Sequence, residues 1–257
     1  MENKISLQAT KEGFEKSFAE GKLYDRQTQD AKHLSQIIDS LQLKPNAKVL
    51  DLGTGTGYVA LAIARRYQEV RVVGLDIVKK TLAKNTESAK QEGLTNVVFI
   101  SYDGESFPFQ AGTFDVVVTR YALHHFPDIR STFGEISRVL KPGGELFIAD
   151  PTPNDDDTTR FVDDYMKMKA DGHIKFYTLS EWQQLGQSVG LKTVDFFETS
   201  ITFPRLISTA VNFEQIKEKH GQQVVDSYGV HVSDDGRYIF ITQRVLNVLF
   251  TKEQLGR

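Results

Sequence analysis

Between residues 45 and 150 the hydrophobic period switches repeatedly between short apolar runs and segments of helical spacing. "AKVLDLG" reads as a buried strand, "YVALAIARRY" as a helix and "VRVVGLDI" as a second strand rich in β-branched residues. "KKTLAKNTESAKQEG" then predicts a helix stopped at Gly93, and "NVVFIS" and "FDVVVTR" predict the third and fourth strands. "RSTFGEISRVL" predicts a helix ended by Lys141-Pro142-Gly143-Gly144, and "ELFIAD" a fifth strand. Near-continuous apolar strands alternating with helices require a parallel sheet covered on both faces and joined by right-handed crossovers. A doubly wound α/β fold is the expectation.

The flanks are less regular. Residues 12–41 carry Phe14, Phe18, Leu34, Ile37, Ile38 and Leu41 at helical spacing interrupted near Gly21. Residues 1–44 are therefore expected to form a helical cover, and residues 45–257 the main domain. After Asp150 comes the acidic, turn-rich "PTPNDDDTT", followed by a cap insertion at about 152–190 with two helices around a polar-aromatic link. "LKTVDFFETSITF" and "GRYIFITQRVLNVLFT" read as the last two strands, separated by a helical insertion at about 204–236. No apolar stretch approaches the roughly 20 residues that span a bilayer. The leading "MENKISLQATKEGFEK" has no apolar secretory segment, and the chain has no cysteine, so disulfide and thiolate chemistry are excluded and a cytoplasmic location is expected. The 31 basic residues nearly balance the 34 acidic ones and form no long run, which disfavours nucleic acid as a partner.

The turn after the first strand, "DLGTGTGYVA", places Asp51, Gly53, Gly55 and Gly57 where an open parallel sheet binds ligands. A dinucleotide fingerprint would need glycine at the sixth position counted from Gly53, and that position is Tyr58. A phosphate-gripping loop would need Gly-Lys-Ser/Thr after the turn, which is missing. Asp76, at the end of the second strand, can accept both hydroxyl protons of a ribose or can cap the helix that starts near Val78. Asp103, after the third strand, can accept the amino proton of an adenine, with Gly104 leaving the backbone open beside it.

In order, "VLDLGTGTG", "VVGLDI", "YDGESFPFQAGTFDVVVTRYALHHFPD" and "RVLKPGGELFIAD" resemble the successive motifs of class I S-adenosylmethionine-dependent methyltransferases over roughly residues 45–150. Within that superfamily "SFPFQAGTFDVV" and "HHFPD" are similar to the branch of ubiquinone and menaquinone C-methyltransferases and many small-molecule methyltransferases. The resemblance implies a Rossmann-like seven-stranded sheet whose last strand is antiparallel, and S-adenosylmethionine as cofactor with S-adenosylhomocysteine as product. It implies that Gly53, Gly55 and Gly57 turn beside the methionine portion while Asp51 anchors the loop. Asp76 would hold the ribose, Ile77 would pack on the adenine, and Asp103 and Gly104 would meet the adenine edge. The backbone of Arg120 would face the methionine amino group with Tyr121 and His125 nearby, and Tyr24 would reach over the carboxylate. The acceptor is expected to be a small molecule, its identity and its O, N or C acceptor atom being left open.

Transfer from a sulfonium needs alignment in a water-poor pocket more than it needs a base. For a phenol, enol or protonated amine, His125 or His124 is the candidate group to take the proton. No metal site is expected. Adjacent histidines diverge on a strand or helix, no third ligand follows at suitable spacing, and Asp155–Asp157 reads as a solvated loop. Phe161, Tyr165, Met166, Met168, His173, Phe176, Tyr177 and Trp182 cluster in the cap segment, mostly as expected cap core. Two rival readings are a NAD(P)-dependent reductase, disfavoured by Tyr58, and a non-enzymatic protein that binds S-adenosylmethionine.

Overall fold

A computed structural model describes residues 7, 8, 10–13, 15, 29–168 and 172–254. Helix α1 (Ala31–Ser40) starts where the Asp30 side chain accepts the His33 N–H, and it turns Ile37 and Ile38 inward. Then come β1 (Lys48–Leu52), α2 (Tyr58–Arg66), β2 (Arg71–Asp76), α3 (Lys79–Gln91), β3 (Val97–Ser101), β4 (Phe114–Arg120), α4 (Ile129–Val139) and β5 (Leu140–Thr152). The βα alternation read from the sequence is present strand by strand. Strand β5 begins earlier than expected, taking in Lys141-Pro142-Gly143-Gly144. The second half contains α5 (Phe161–Lys167), α6 (Leu179–Gln187), β6 (Leu191–Leu206), α7 (Phe213–His220), α8 (Gln222–Ser227), β7 (His231–Val232) and β8 (Tyr238–Lys252).

The sheet order is β3-β2-β1-β4-β5-β8-β6. Pairings from β3 to β5 are parallel. The final strand, β8, is antiparallel to both its neighbours, β5 and β6. The seven expected strands are joined by an eighth, the two-residue β7, which pairs with β8.

Each sheet face buries its own apolar cluster, as crossovers on both sides require. One packs α4 and α6 through Phe133, Ile136 and Trp182 against Leu50, Val117, Leu146 and Phe250. The other packs α1 and α2 through Ile37, Ile38 and Ile63 against Val49, Val118 and Phe147. A third cluster lies beyond the strand ends, where Phe161, Tyr165 and Phe176 meet Phe213, Val225, Tyr228, Ile239 and Ile241. This outer layer is assembled from two chain segments separated by β6. Trp182 and Tyr177, grouped with it in the sequence reading, belong instead to the main core, where Trp182 stacks on Phe133 at 5.7 Å. Among the described residues no helix is long and apolar enough to cross a membrane.

Candidate active site

Strands β1 and β4 are neighbours from which the chain winds outward in opposite directions, so the crevice at their carboxyl ends is the topological switch point of the sheet. A cavity opens there, about 960 Å³ including its mouth, and Asp51, Gly53, Gly55, Asp76, Ile77, Arg120, Tyr121 and His125 all line it.

The glycine turn is shaped by backbone demand. Gly53, Gly55 and Gly57 have φ of 69°, 49° and 76°, where other residues are strained. A Cβ on Gly53 would also stand 2.5 Å from the Ala122 Cβ. The turn is tied to both flanking carboxylates. Asp51 is buried, and its Oδ2 accepts the Thr54 hydroxyl at 2.6 Å and the Ala60 N–H at 3.0 Å. Burial, with the neighbouring Asp76, pushes its carboxyl up to about 6 against those bonds and the charge of Arg120. Asp76 accepts the Gly55 N–H on Oδ2 and the Val78 N–H on Oδ1, both at 2.9 Å. It therefore fastens the glycine turn as well as the turn into α3, whose N-cap position is Val78 itself. Burial raises the Asp76 carboxyl too.

At the end of β4 the Arg120 guanidinium lies 4.1 Å from the Tyr121 ring centre and 5.1 Å from that of Tyr58. Tyr121 has φ of 54°, an unusual value for a bulky residue, and its N–H donates to the Ala149 carbonyl at 2.8 Å. Its hydroxyl is 3.2 Å from Nδ1 of His33, whose Nε2 is 2.7 Å from Oδ1 of Asn247. The Asn247 amide is oriented by its Nδ2, which donates to the Val245 carbonyl at 3.3 Å and the Thr199 hydroxyl at 3.1 Å. Nε2 of His33 is then the donor, Nδ1 the acceptor, and the Tyr121 hydroxyl donates to it. Helix α1 is thereby linked to the pocket wall and to β8. Burial lowers the His33 pKa and pushes the Tyr121 hydroxyl up to about 12.

His124 and His125 sit on a 3₁₀ turn, Leu123–His125, rather than on a strand or long helix. Their rings do not diverge as expected, the centres being 4.1 Å apart. His125 faces the cavity. His124 is not on the cavity wall and binds Asp150 near the end of β5 twice, through its N–H at 3.1 Å and Nδ1 at 2.6 Å. Asp150 is buried, which pushes its carboxyl up to about 8. The loop before α6 closes on this turn, with Ile174 N–H donating to the His124 carbonyl at 2.9 Å. It also brings His173 close, its ring centre 6.3 Å from that of His125 and its Nε2 2.9 Å from Asp163.

Asp103 and Gly104 follow β3 but are not on the cavity wall. Asp103 is exposed, and its Oδ1 accepts the N–H groups of Glu105 and Ser106. Gly104 has φ of 90°, and a Cβ there would meet Leu7 at 2.7 Å. Tyr24 lies outside the described residues, as do Phe14 and Phe18. Among the described residues no group of three or more histidine, aspartate or glutamate side chains is placed to hold a metal ion. Asp155–Asp157 differs from a plain solvated loop: Asp157 is buried and accepts the N–H groups of Phe161 and Val162 and the Tyr228 hydroxyl.

The site also contains residues that motif reading passed over. Thr54, Tyr58, Tyr102 and Phe126 line the cavity, and His33 and Asn247 stand behind it. The one available signal was His33, a polar residue on the apolar face of Ile37 and Ile38.

A doubly wound sheet with an antiparallel strand inserted next to its edge and a glycine turn at the switch point has the fold of the class I methyltransferases. Residues 43–195 match the model of a family described as methyltransferase domain, and the chain belongs to that family. It is 34% identical over 172 residues to YcgJ of Bacillus subtilis, described as an uncharacterized methyltransferase; the match covers 66% of this chain and 63% of that one. A demethylmenaquinone methyltransferase of Thermus thermophilus is 35% identical over 124 residues, which is 48% of this chain and 56% of that one. The chain thus spans less than two thirds of the length of these relatives. The crystal structure of YcgJ superposes with a TM-score of 0.74 over 88% of this chain and 100% of its own, at 25% identity.

Proposed function

We propose that the chain methylates a small molecule, using S-adenosylmethionine held in the cavity at the ends of β1, β2 and β4. The observation that carries this reading is the joint wall made by Asp76 and the glycine turn, bonded to each other at 2.9 Å. Each carboxylate oxygen of Asp76 takes one backbone N–H, and each retains capacity for a ribose hydroxyl. The glycines bring bare backbone against the ligand, and a side chain at Gly53 would have no room. Buried Asp51 supplies the nearby negative charge that suits an ammonium or sulfonium. Ile77 provides an apolar surface for the adenine, and Asp103 and Gly104 lie beyond it for the exocyclic edge.

Bound there, the cofactor supplies a methyl group activated by positive sulfur. Arg120, on the opposite wall, offers its backbone to the amino group and its guanidinium to the carboxylate. Tyr121, held by His33, fixes the wall next to the reacting centre. His125 orients the acceptor and, for a phenol, enol or protonated amine, takes its proton. The outer layer that includes α5 acts as a cap with the loop before α6, which clasps His124 through Ile174, and helix α1 acts as a cover. Such closure excludes water, and alignment then accounts for most of the rate. The demethylmenaquinone relative, by its name, acts on a small molecule, in keeping with this reading.

Calorimetry with S-adenosylmethionine, S-adenosylhomocysteine and NADH, followed by a product assay over phenols, quinols, amines and acids, tests the proposal. Micromolar binding of the first two, none of NADH and release of S-adenosylhomocysteine with one acceptor class are expected. Binding of NADH alone would overturn it.

A further inference from the structure

Part of the cavity wall comes from far outside the glycine turn and the strand ends. Leu7 and Thr10, near the start of the sequence, line it together with Asp76 and Ile77. Residues 7, 8 and 10–13 are helical, so Leu7 and Thr10, three positions apart, share a face. Thr10 is buried on that face, whereas Gln8 and Glu12 are exposed and bonded to each other at 2.6 Å. The segment thus turns one side to the cavity and its polar side to solvent.

Two glycines seat it. At Gly104, beyond β3, φ is 90°, and an added Cβ would stand 2.7 Å from Cδ2 of Leu7 and 3.5 Å from Cγ2 of Ile77. At Gly172, in the loop before α6, φ is 79°, and an added Cβ would stand 2.8 Å from Cα of Thr10. Neither the Leu7 nor the Thr10 contact leaves room for a side chain on the glycine. Leu7 and Ile77 therefore converge on one bare stretch of backbone, at the end of the cavity over β2 and β3. Tyr102, the residue after β3, lines the cavity with them. Ile77 directly follows Asp76, the carboxylate placed for the ribose, so this apolar corner lies where the base on that ribose must go.

We infer that Leu7 is a cofactor-binding residue, packing with Ile77 against the adenine, and that Gly104 is the seat that admits it. The inference rests on the methyltransferase reading above and adds to it a residue outside every motif read from the sequence. A purine offers flat apolar faces, and a branched aliphatic side chain beside Ile77 gives them a second surface to be buried against. The adenine end of the site is then complete only when the segment of Leu7 is in place.

The test measures, by titration calorimetry, the affinities of wild type, Leu7→Ala, Gly104→Ala and the double variant for two ligands. These are S-adenosylhomocysteine and 5′-methylthioadenosine, which keeps the adenine and ribose and lacks the amino acid. Leu7→Ala is expected to bind both about tenfold more weakly, through the apolar contact it gives up. Gly104→Ala should weaken both as well, since its Cβ displaces Leu7, and should do so less in the Leu7→Ala background, where little is left to displace. Should Leu7→Ala fail to fold, Leu7→Gln, of similar length, takes its place and is expected to weaken both ligands. Equal affinity in wild type and the Leu7 variant overturns the inference. A loss confined to S-adenosylhomocysteine does so too, because Leu7 would then lie against the methionine portion, as does wild type binding S-adenosylhomocysteine but not methylthioadenosine. Additive losses in the double variant overturn the role of Gly104 as the seat. Wild type binding neither ligand would instead remove the reading on which the inference rests.

Discussion

Asp51 takes both of its hydrogen bonds on one oxygen, so an asparagine can keep the Thr54 and Ala60 bonds while losing the charge. Its carboxyl titrates near 6 in the folded chain against 3.8 in the unfolded one, so the folded state holds the proton longer. Stability is therefore lost as the pH rises from about 4 to about 6, by on the order of 3 kcal/mol. Asp51→Asn should melt above wild type at pH 7.5 and alongside it at pH 4, while binding S-adenosylmethionine less well; calorimetric scans at the two pH values decide. Asp76→Ala is expected to weaken S-adenosylmethionine by about 1–3 kcal/mol, through lost ribose contacts and a loosened turn, and titration calorimetry on the folded variant measures it. These residues were legible because their neighbours are local: the three glycines, Asp51 and Asp76 follow a spacing set by one turn and one strand length. Tyr121 could be placed but not its support, since His33 and Asn247 are 214 positions apart and no periodicity links them. His125 and His124 were both visible, yet their division of labour depends on Asp150 receiving one ring and not the other.

At the scale of elements, Asp157 is the joint of the outer layer, holding the first turn of α5 through two N–H groups and reaching the hydroxyl of Tyr228 beyond α8. Asp157→Ala should accelerate amide exchange about ten- to a hundredfold across residues 152–168 and 210–230, leaving β1 to β4 protected. Uniform acceleration would mean that the layer opens only with the whole fold. The strands from β1 to β5 were readable from sequence because each is apolar on both faces and bounded by glycine, proline or helical spacing. The outer layer was not, because its core is completed only when α5 meets α7, α8 and the start of β8, contacts that no local pattern specifies. Helix α6 illustrates the same limit. Its Thr178 and Glu181 capping box marks where it begins, but that Trp182 points into the main core, against Phe133, follows from packing alone.

For the whole molecule, ligand binding should register as stability. S-adenosylhomocysteine at a hundredfold excess over its Kd adds about 2.7 kcal/mol to the folded state. A rise in Tm of about 5–10 °C is expected for a chain of this size, and no rise with NADH. Limited proteolysis at residues 152–178 should slow with the same ligand, and equal cleavage rates would argue against closure of that layer. The order of the strands has a further consequence, for biosynthesis. Strand β8 is made last but lies inside the sheet, between β5 and β6, and on one side β5 has no other partner. A nascent chain that has already emitted the 16 residues of β6 must wait for residues 238–252 before that strand can pair at all. Until residues 238–252 have been made, β6 and the flank of β5 are unpaired edges, open to any other extended segment. Ribosome stalling before residue 238 should therefore produce chains that depend on holding chaperones, and the folding yield should be more sensitive to pauses between residues 206 and 238 than to pauses before β6 is made.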